Sequence, residues 1–210
     1  MEISNYKNII FDLGGVILNI DYHLTIDAFK NFGIKNFDEL YTQAKQNGAF
    51  DSLETGKLSN QEFYTYINSV SEKELTKEEI DTAWNAMLLD IPQGRKEFLE
   101  KVSQKFNIYL LSNTNQIHID WFRDMLINKY GKNWFLEVFK KDYYSHEIGL
   151  RKPNTNVFEF VLNENQLTSE ETIFFDDSIQ HIEGAMKAGI TAIHITSDKS
   201  IEHYLENVLS

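Results

Sequence analysis

What this chain can fold into is constrained most by one run near its start, Asn8-Ile9-Ile10-Phe11-Asp12-Leu13-Gly14-Gly15-Val16-Ile17. A short apolar, β-prone stretch stops at a carboxylate, and a glycine-rich turn follows at once. In a parallel α/β protein ligands gather beyond the carboxyl ends of the strands, so Asp12 would stand where chemistry happens. An aspartate there is also an ordinary turn former, and the run takes its meaning from what comes later. A second β-prone run, Asn107 to Leu111, ends in Ser112-Asn113-Thr114-Asn115. The loop Gly149-Leu150-Arg151-Lys152-Pro153 leads into a periodic helix, Asn156 to Leu162. A third run, Thr172 to Phe175, ends in Asp176-Asp177-Ser178. Each segment alone reads equally well as a cap, a solvated charge or a turn. Four of them at strand ends or helix entries make a coincidence improbable.

Between Asp12 and Ile108 the texture is helical. Leu24 to Phe32 carries apolar positions at helical spacing, with Gly33 as a C-cap. Phe37 to Ala44, Asn60 to Val70 and Thr76 to Leu89 read as further amphipathic helices. Ser59 and Thr76 are expected N-caps, with Glu62 and Glu79 three residues on completing capping boxes. Pro92 breaks the series and Arg95 to Lys105 begins a new helix. Beyond it strand and helix alternate: strand 108–111, strand near Tyr143-Tyr144, helix 156–162, strand 172–175, helix 179–188, strand 191–195. Such alternation predicts an α/β fold, a Rossmann-like parallel sheet with helices on both faces. The helical interval is expected to be an inserted all-helical cap. Residues 1–18 and 92–210 would form the α/β core and 19–91 the cap. Phe63, Tyr64, Tyr66 and Trp84 read as cap core rather than pocket wall, and His118 as a helix-face residue.

The balance of 32 acidic against 20 basic residues, a net charge of −12, repels nucleic acid and anionic membrane. A small phosphorylated metabolite remains admissible, because local charge and a bound cation outweigh the total. With no cysteine, disulfides, thiolate metal sites and cysteine nucleophiles are excluded. The start, Met1 to Lys7, has neither the basic beginning nor the apolar core of a secretory signal, and no stretch has the length of a membrane span. A cytoplasmic enzyme is the expectation.

In these four segments the chain resembles the haloacid dehalogenase superfamily, mostly phosphatases, over nearly its whole length. More narrowly, Phe-Asp-Leu-Gly-Gly-Val-Ile, Leu-Ser-Asn-Thr-Asn, Arg-Lys-Pro and Phe-Phe-Asp-Asp resemble a bacterial subgroup that includes α-glucose-1-phosphate phosphatases. The resemblance implies Asp12 as nucleophile and metal contact, Ser112 and the Asn113 N–H as donors to phosphoryl oxygens, and Lys152 as their charge balance. It also implies Asp177 as a second metal carboxylate supported by Asp176, and the cap lying over the site. The Gly14 carbonyl is the natural third oxygen ligand, since glycine lets the turn bring its backbone close. Few oxygen ligands suit Mg²⁺. Spacing alone supports only a metal–carboxylate site.

One departure stands out. Most phosphatases of the superfamily carry an acid–base aspartate two residues after the nucleophile, where this chain has Gly14. Loss of such a group costs roughly 3–5 kcal/mol of barrier. A leaving group acidic enough to need little help, as from a sugar-1-phosphate, would remove the problem. Asp21 would have to reach in, or serve only as a helix-start residue. A phosphate ligand held without turnover is the third explanation. The expected activity is a Mg²⁺-dependent phosphatase acting on a small phosphorylated metabolite through an aspartyl-phosphate. A 2-haloacid dehalogenase and an inactive phosphate-binding homologue are the alternatives. Dehalogenases generally lack the acidic pair retained here as Asp176-Asp177.

Overall fold

A computed structural model describes residues 2–46 and 48–209. Five parallel strands form one sheet: β1 (Asn8–Phe11), β2 (Asn107–Ser112), β3 (Lys141–Tyr144), β4 (Thr172–Asp176) and β5 (Thr191–His194), in the order β3-β2-β1-β4-β5. Residues on the three central strands alternate between two faces. Ile9, Phe11, Ile108, Leu110, Ile173 and Phe175 enter one hydrophobic cluster, while Ile10, Tyr109, Leu111 and Phe174 enter another. Both faces are therefore buried, which is why these strands read as continuous apolar runs. The register pairs Phe11 with Leu110 on one side and Phe175 on the other. Asp12, Ser112 and Asp176 accordingly fall at the same edge of the sheet. The strand order reverses direction at β1, so Asp12 lies at the switch point where α/β sheets open a crevice.

Among the described residues six helices separate β1 from β2, and the first five build the insertion: α1 (Tyr22–Asn31), α2 (Phe37–Gln46), α3 (Ala49–Glu54), α4 (Asn60–Val70) and α5 (Lys77–Asn85). Ser59 and Thr76 cap α4 and α5, each in a complete capping box. Gly33, at φ +101°, follows the end of α1 in a conformation suited to glycine. These helices bury a cluster of their own, with Phe29, Phe37, Phe63, Ile67, Ile80 and Trp84 at its centre. Phe63, Tyr64 and Trp84 are buried there, and Tyr66 packs against the same cluster. The chain enters and leaves this helical cap on paired backbone: Asn19 N–H donates to Asp90 O at 2.9 Å, Leu89 N–H to Asn19 O at 3.0 Å, and Asp21 N–H to Met87 O at 2.9 Å.

The remaining helices flank the sheet: α6 (Arg95–Lys105), α7 (Gln116–Tyr130), α8 (Phe135–Val138), α9 (Ser145–Ile148), α10 (Thr155–Glu164), α11 (Ile179–Lys187) and α12 (Ile201–Leu209). Of these, α6, α7, α8 and α12 contribute to the cluster under Phe11, and α10 and α11 to the one under Ile10. Ile117 of α7 joins the cap cluster and seats the cap on the core. Among the described residues no helix is long and apolar enough to cross a membrane.

Candidate active site

The site is built around a lysine buried without any exposure. Lys152 Nζ donates to Asp12 Oδ1 at 2.6 Å, Asp176 Oδ2 at 2.7 Å and the Leu111 carbonyl at 2.9 Å, spanning the ends of β1, β4 and β2. The Asn113 amide fixes the peptide that carries it. Asn113 Nδ2 donates to Lys152 O at 2.9 Å, and Lys152 N–H returns a bond to Asn113 Oδ1 at 3.0 Å. The ammonium is held well on the charged side of its usual range: burial alone would lower its pKa, but Asp12 and Asp176 raise it.

Asp176 is fully buried and takes further bonds from Ser178 N–H at 2.8 Å and His181 Nδ1 at 2.9 Å; burial works to raise its pKa, but Lys152 first and then His181 hold it below the ordinary carboxylate range. Asp177 is more open, and burial with the nearby Asp176 raises its pKa. Asp12 is pushed up to about 7, by burial first, with Lys152 opposing and Asp176 and Asp177 adding to the rise. Three carboxylates thus crowd one point. Asp12, Asp176 and Asp177 each offer an oxygen, and these oxygens all lie within 4.8 Å of one another. Hard oxygen donors in such a cluster fit a small divalent cation.

The loop after Asp12 fits closely against this cluster. Gly15 has φ +74°, and a Cβ there would sit 2.1 Å from Asp177 Oδ2. The need for glycine therefore falls on Gly15, whereas Gly14, to which the sequence reading assigned it, has no left-handed φ. A Cβ on Gly14 would meet only the tip of Ile20, with Cδ1 at 3.2 Å. Ile20 thus lies beside the position at which the superfamily resemblance implies an acid. Asp21 does not fill that role: it caps α1, its Oδ1 accepting from His23 N–H at 3.0 Å.

Asp12, Gly14, Ser112, Asn113, Asp177 and His181 line a cleft of about 600 Å³, in the range of small-molecule sites. Its opposite wall comes from the cap: Tyr22 at the start of α1, Tyr41 of α2, and Asp51 and Glu54 of α3. Arg151 joins the walls, pairing with Asp51 and, at 2.8 Å, with Glu54 Oε2. A smaller recess opens off the same wall beside Leu13, Ile20, Phe50, Trp84 and His118. His118 is a buried structural residue: it stacks on Trp84 at 5.0 Å, its Nδ1 lies 2.8 Å from Asn85 Oδ1, and burial drops its pKa to about 3. Tyr22, Tyr41, Asp51, Glu54 and His181 escaped the sequence reading. Only His181 carried a local signal, one turn into the helix that follows the acidic pair.

A parallel sheet with this switch-point cluster under a helical cap defines a class of hydrolases. The family profile of haloacid dehalogenase-like hydrolases matches residues 9–195, and the chain belongs to that family as a phosphatase. Among characterised relatives it is similar to the D-ribitol-5-phosphate phosphatase of Bacteroides thetaiotaomicron, 32% identical over 176 residues, 84% of this chain and 85% of the relative. Among solved structures it is similar to a haloacid dehalogenase family enzyme of that organism in complex with magnesium and inorganic phosphate. The TM-score is 0.86 at 33% identity, covering 95% of this chain and 98% of the other. A HAD-like hydrolase of Porphyromonas gingivalis gives 0.87 at 27%, covering 97% and 98%.

Proposed function

We propose that the chain is a Mg²⁺-dependent phosphatase for a small sugar or sugar-alcohol phosphate, acting through an aspartyl-phosphate on Asp12. The observation that carries this reading is the lysine-bridged carboxylate cluster: a nucleophile, a cation and two further carboxylates at one strand edge. Residues 1–18 and 92–210 are assigned to the catalytic core and 19–91 to the cap, a division supported by the separate cap cluster and the paired backbone at the junction. Asp12, Asp177 and the Gly14 carbonyl would hold the ion, with Asp176 behind them. Bound there, Mg²⁺ would compensate charge on the phosphoryl oxygens.

An Asp12 oxygen attacks phosphorus and the ester P–O bond breaks. The Ser112 hydroxyl and Asn113 N–H donate to the phosphoryl oxygens, and Lys152 balances their charge from below. Water then cleaves the acyl-phosphate, releasing phosphate and restoring Asp12. With Ile20 beside the vacant acid position, the leaving oxygen draws its proton from solvent. The named relative acts on a 5-phosphate, which favours a sugar alcohol or sugar ester generally over a 1-phosphate in particular. A phosphorylated metabolite as substrate goes with a cytoplasmic setting.

The test is phosphate release from a panel of sugar, sugar-alcohol and nucleoside phosphates, with Mg²⁺ and with chelator. Cation-dependent release from sugar-type esters is expected. Ligand binding without release from any ester would mark a binding module instead, and activity surviving exhaustive chelation would refute the metal assignment.

A further inference from the structure

We propose that Asp51, Glu54 and Arg151 select the leaving group, admitting a neutral polyhydroxylated chain and rejecting one that bears a second anion. This rests on the phosphatase reading above and adds to it the chemistry of the half of the substrate that the catalytic cluster does not touch.

The cleft has two ends. At the floor stand Asp12, Asp177 and Ser112; at the cap side stand Tyr22, Tyr41, Asp51, Glu54 and Arg151. Asp51 and Glu54 are one helical turn apart on α3 and share a face. Both pair with the same guanidinium, so the three groups sum to one negative charge. Among the described residues lining the cleft, Arg151 is the only Lys or Arg side chain, and it is already committed to two carboxylates. A carboxylate or second phosphate on the leaving group would meet that net negative wall with no further cation to receive it. Like charges placed together in a partly desolvated cleft are what excludes a wrong ligand.

Hydroxyls fare differently. Each can donate to a carboxylate oxygen of Asp51 or Glu54, or accept from Arg151, without adding charge. Behind them Tyr41 and Phe50 lie 4.9 Å apart, and Phe50 stacks on Trp84 at 5.2 Å. That aromatic surface suits the C–H edges of a polyol. The phenols of Tyr22 and Tyr41 are held neutral by burial and by neighbours that include Glu54, so they offer hydroxyls rather than charge.

The matched pair for the test is glucitol 6-phosphate and 6-phosphogluconate, which differ only in CH₂OH against carboxylate at the far end. p-Nitrophenyl phosphate serves as an ester without that end. With Mg²⁺, native kcat/KM should favour the sugar alcohol at least tenfold. The Asp51→Asn, Glu54→Gln double variant should narrow the ratio to within about threefold, and a thermal melt checks that it folds. Should that variant not fold, the native ratio and Glu54→Gln alone still decide. Native rates within threefold of each other, or a ratio unmoved in the variants, would overturn the selection while leaving the phosphatase reading intact. No release from any ester, p-nitrophenyl phosphate included, would overturn both.

Discussion

Replacing Lys152 by methionine isolates what the buried ammonium does. Methionine keeps most of the stem, which runs against the Phe174 ring with the native Nζ 5.3 Å from its centroid. What goes is the charge between Asp12 at 2.6 Å and Asp176 at 2.7 Å, and the donor to Leu111 O. Removing one partner of a buried ion pair costs about 3–5 kcal/mol, because the remaining charge stays unpaired. Part of that is recoverable. Asp12, already raised to about 7, takes up a proton near neutrality at little cost, whereas Asp176 loses its chief stabilising partner and keeps only the bonds from His181 and Ser178. The expected loss at pH 7.5 is therefore near the lower bound, about 3 kcal/mol, or a midpoint roughly 6–12 °C lower for a chain of this size.

The pH dependence gives the stricter check. In the native protein Asp12 binds more protons folded than unfolded between its ordinary value of 3.8 and about 7, so it subtracts stability as pH rises through that window. Lys152, raised above its unfolded value, adds stability that is complete below the unfolded value and lost only as pH climbs through the folded one. Without the ammonium, Asp12 rises further and its penalty extends to higher pH. The gap between native and variant should thus be smallest near pH 5.5 and widen to pH 8. Thermal or urea unfolding in chelator at three pH values measures it. A variant as stable as native at pH 7.5, or one destabilised equally at every pH, would refute the reasoning.

Three further outcomes follow from the same geometry. Asp12→Asn should keep native circular dichroism and lose essentially all phosphate release, since an amide cannot form the acyl-phosphate; turnover near the native rate would exclude Asp12 as nucleophile. Gly14→Asp should fold, because its Cβ meets only the tip of Ile20, and it should raise rates on primary alkyl phosphates by tenfold or more relative to aryl phosphates. Equal effects on both esters would mean the new carboxyl does not reach the leaving oxygen. Mg²⁺ binding followed by calorimetry should release protons and tighten from pH 6 to 8, as Asp12 gives up the proton that crowding imposes; a pH-independent affinity would count against Asp12 as a ligand.

The sequence disclosed those parts of the site that are set by chain direction. Asp12, Ser112 and Asp176 each end a strand, and in a parallel sheet all such ends share an edge, so reading the strands located the chemistry. Capping boxes at Ser59 and Thr76 involve only four residues each and were equally readable. The cap wall was hidden because its members meet through tertiary seating. Asp51 reaches Arg151 across 100 positions, and α3 is a helix of six residues with no pattern long enough to notice. The extent of helix α7, on which His118 was placed as a helix-face residue, was hidden for a different reason. It buries Ile117, His118, Ile119, Phe122 and Leu126, facing the cap at one end and the sheet along the rest, so no single apolar stripe marks it. Tyr41 read as an ordinary helix residue and Tyr22 fell before the expected start of its helix at Leu24, and only the cap's orientation turns them toward the cleft.

Arg151 and Lys152 are neighbours in the chain, yet their side chains diverge, one to the cap and one to the catalytic floor. The Asn113 amide holds the Lys152 backbone at both its N–H and its carbonyl. Whatever α3 feels through its grip on Arg151 arrives a single residue from the ammonium that neutralises Asp12 and Asp176. On the proposed function, the group that would meet the sugar and the group that would compensate the phosphate are two arms of one dipeptide, with no long relay between them.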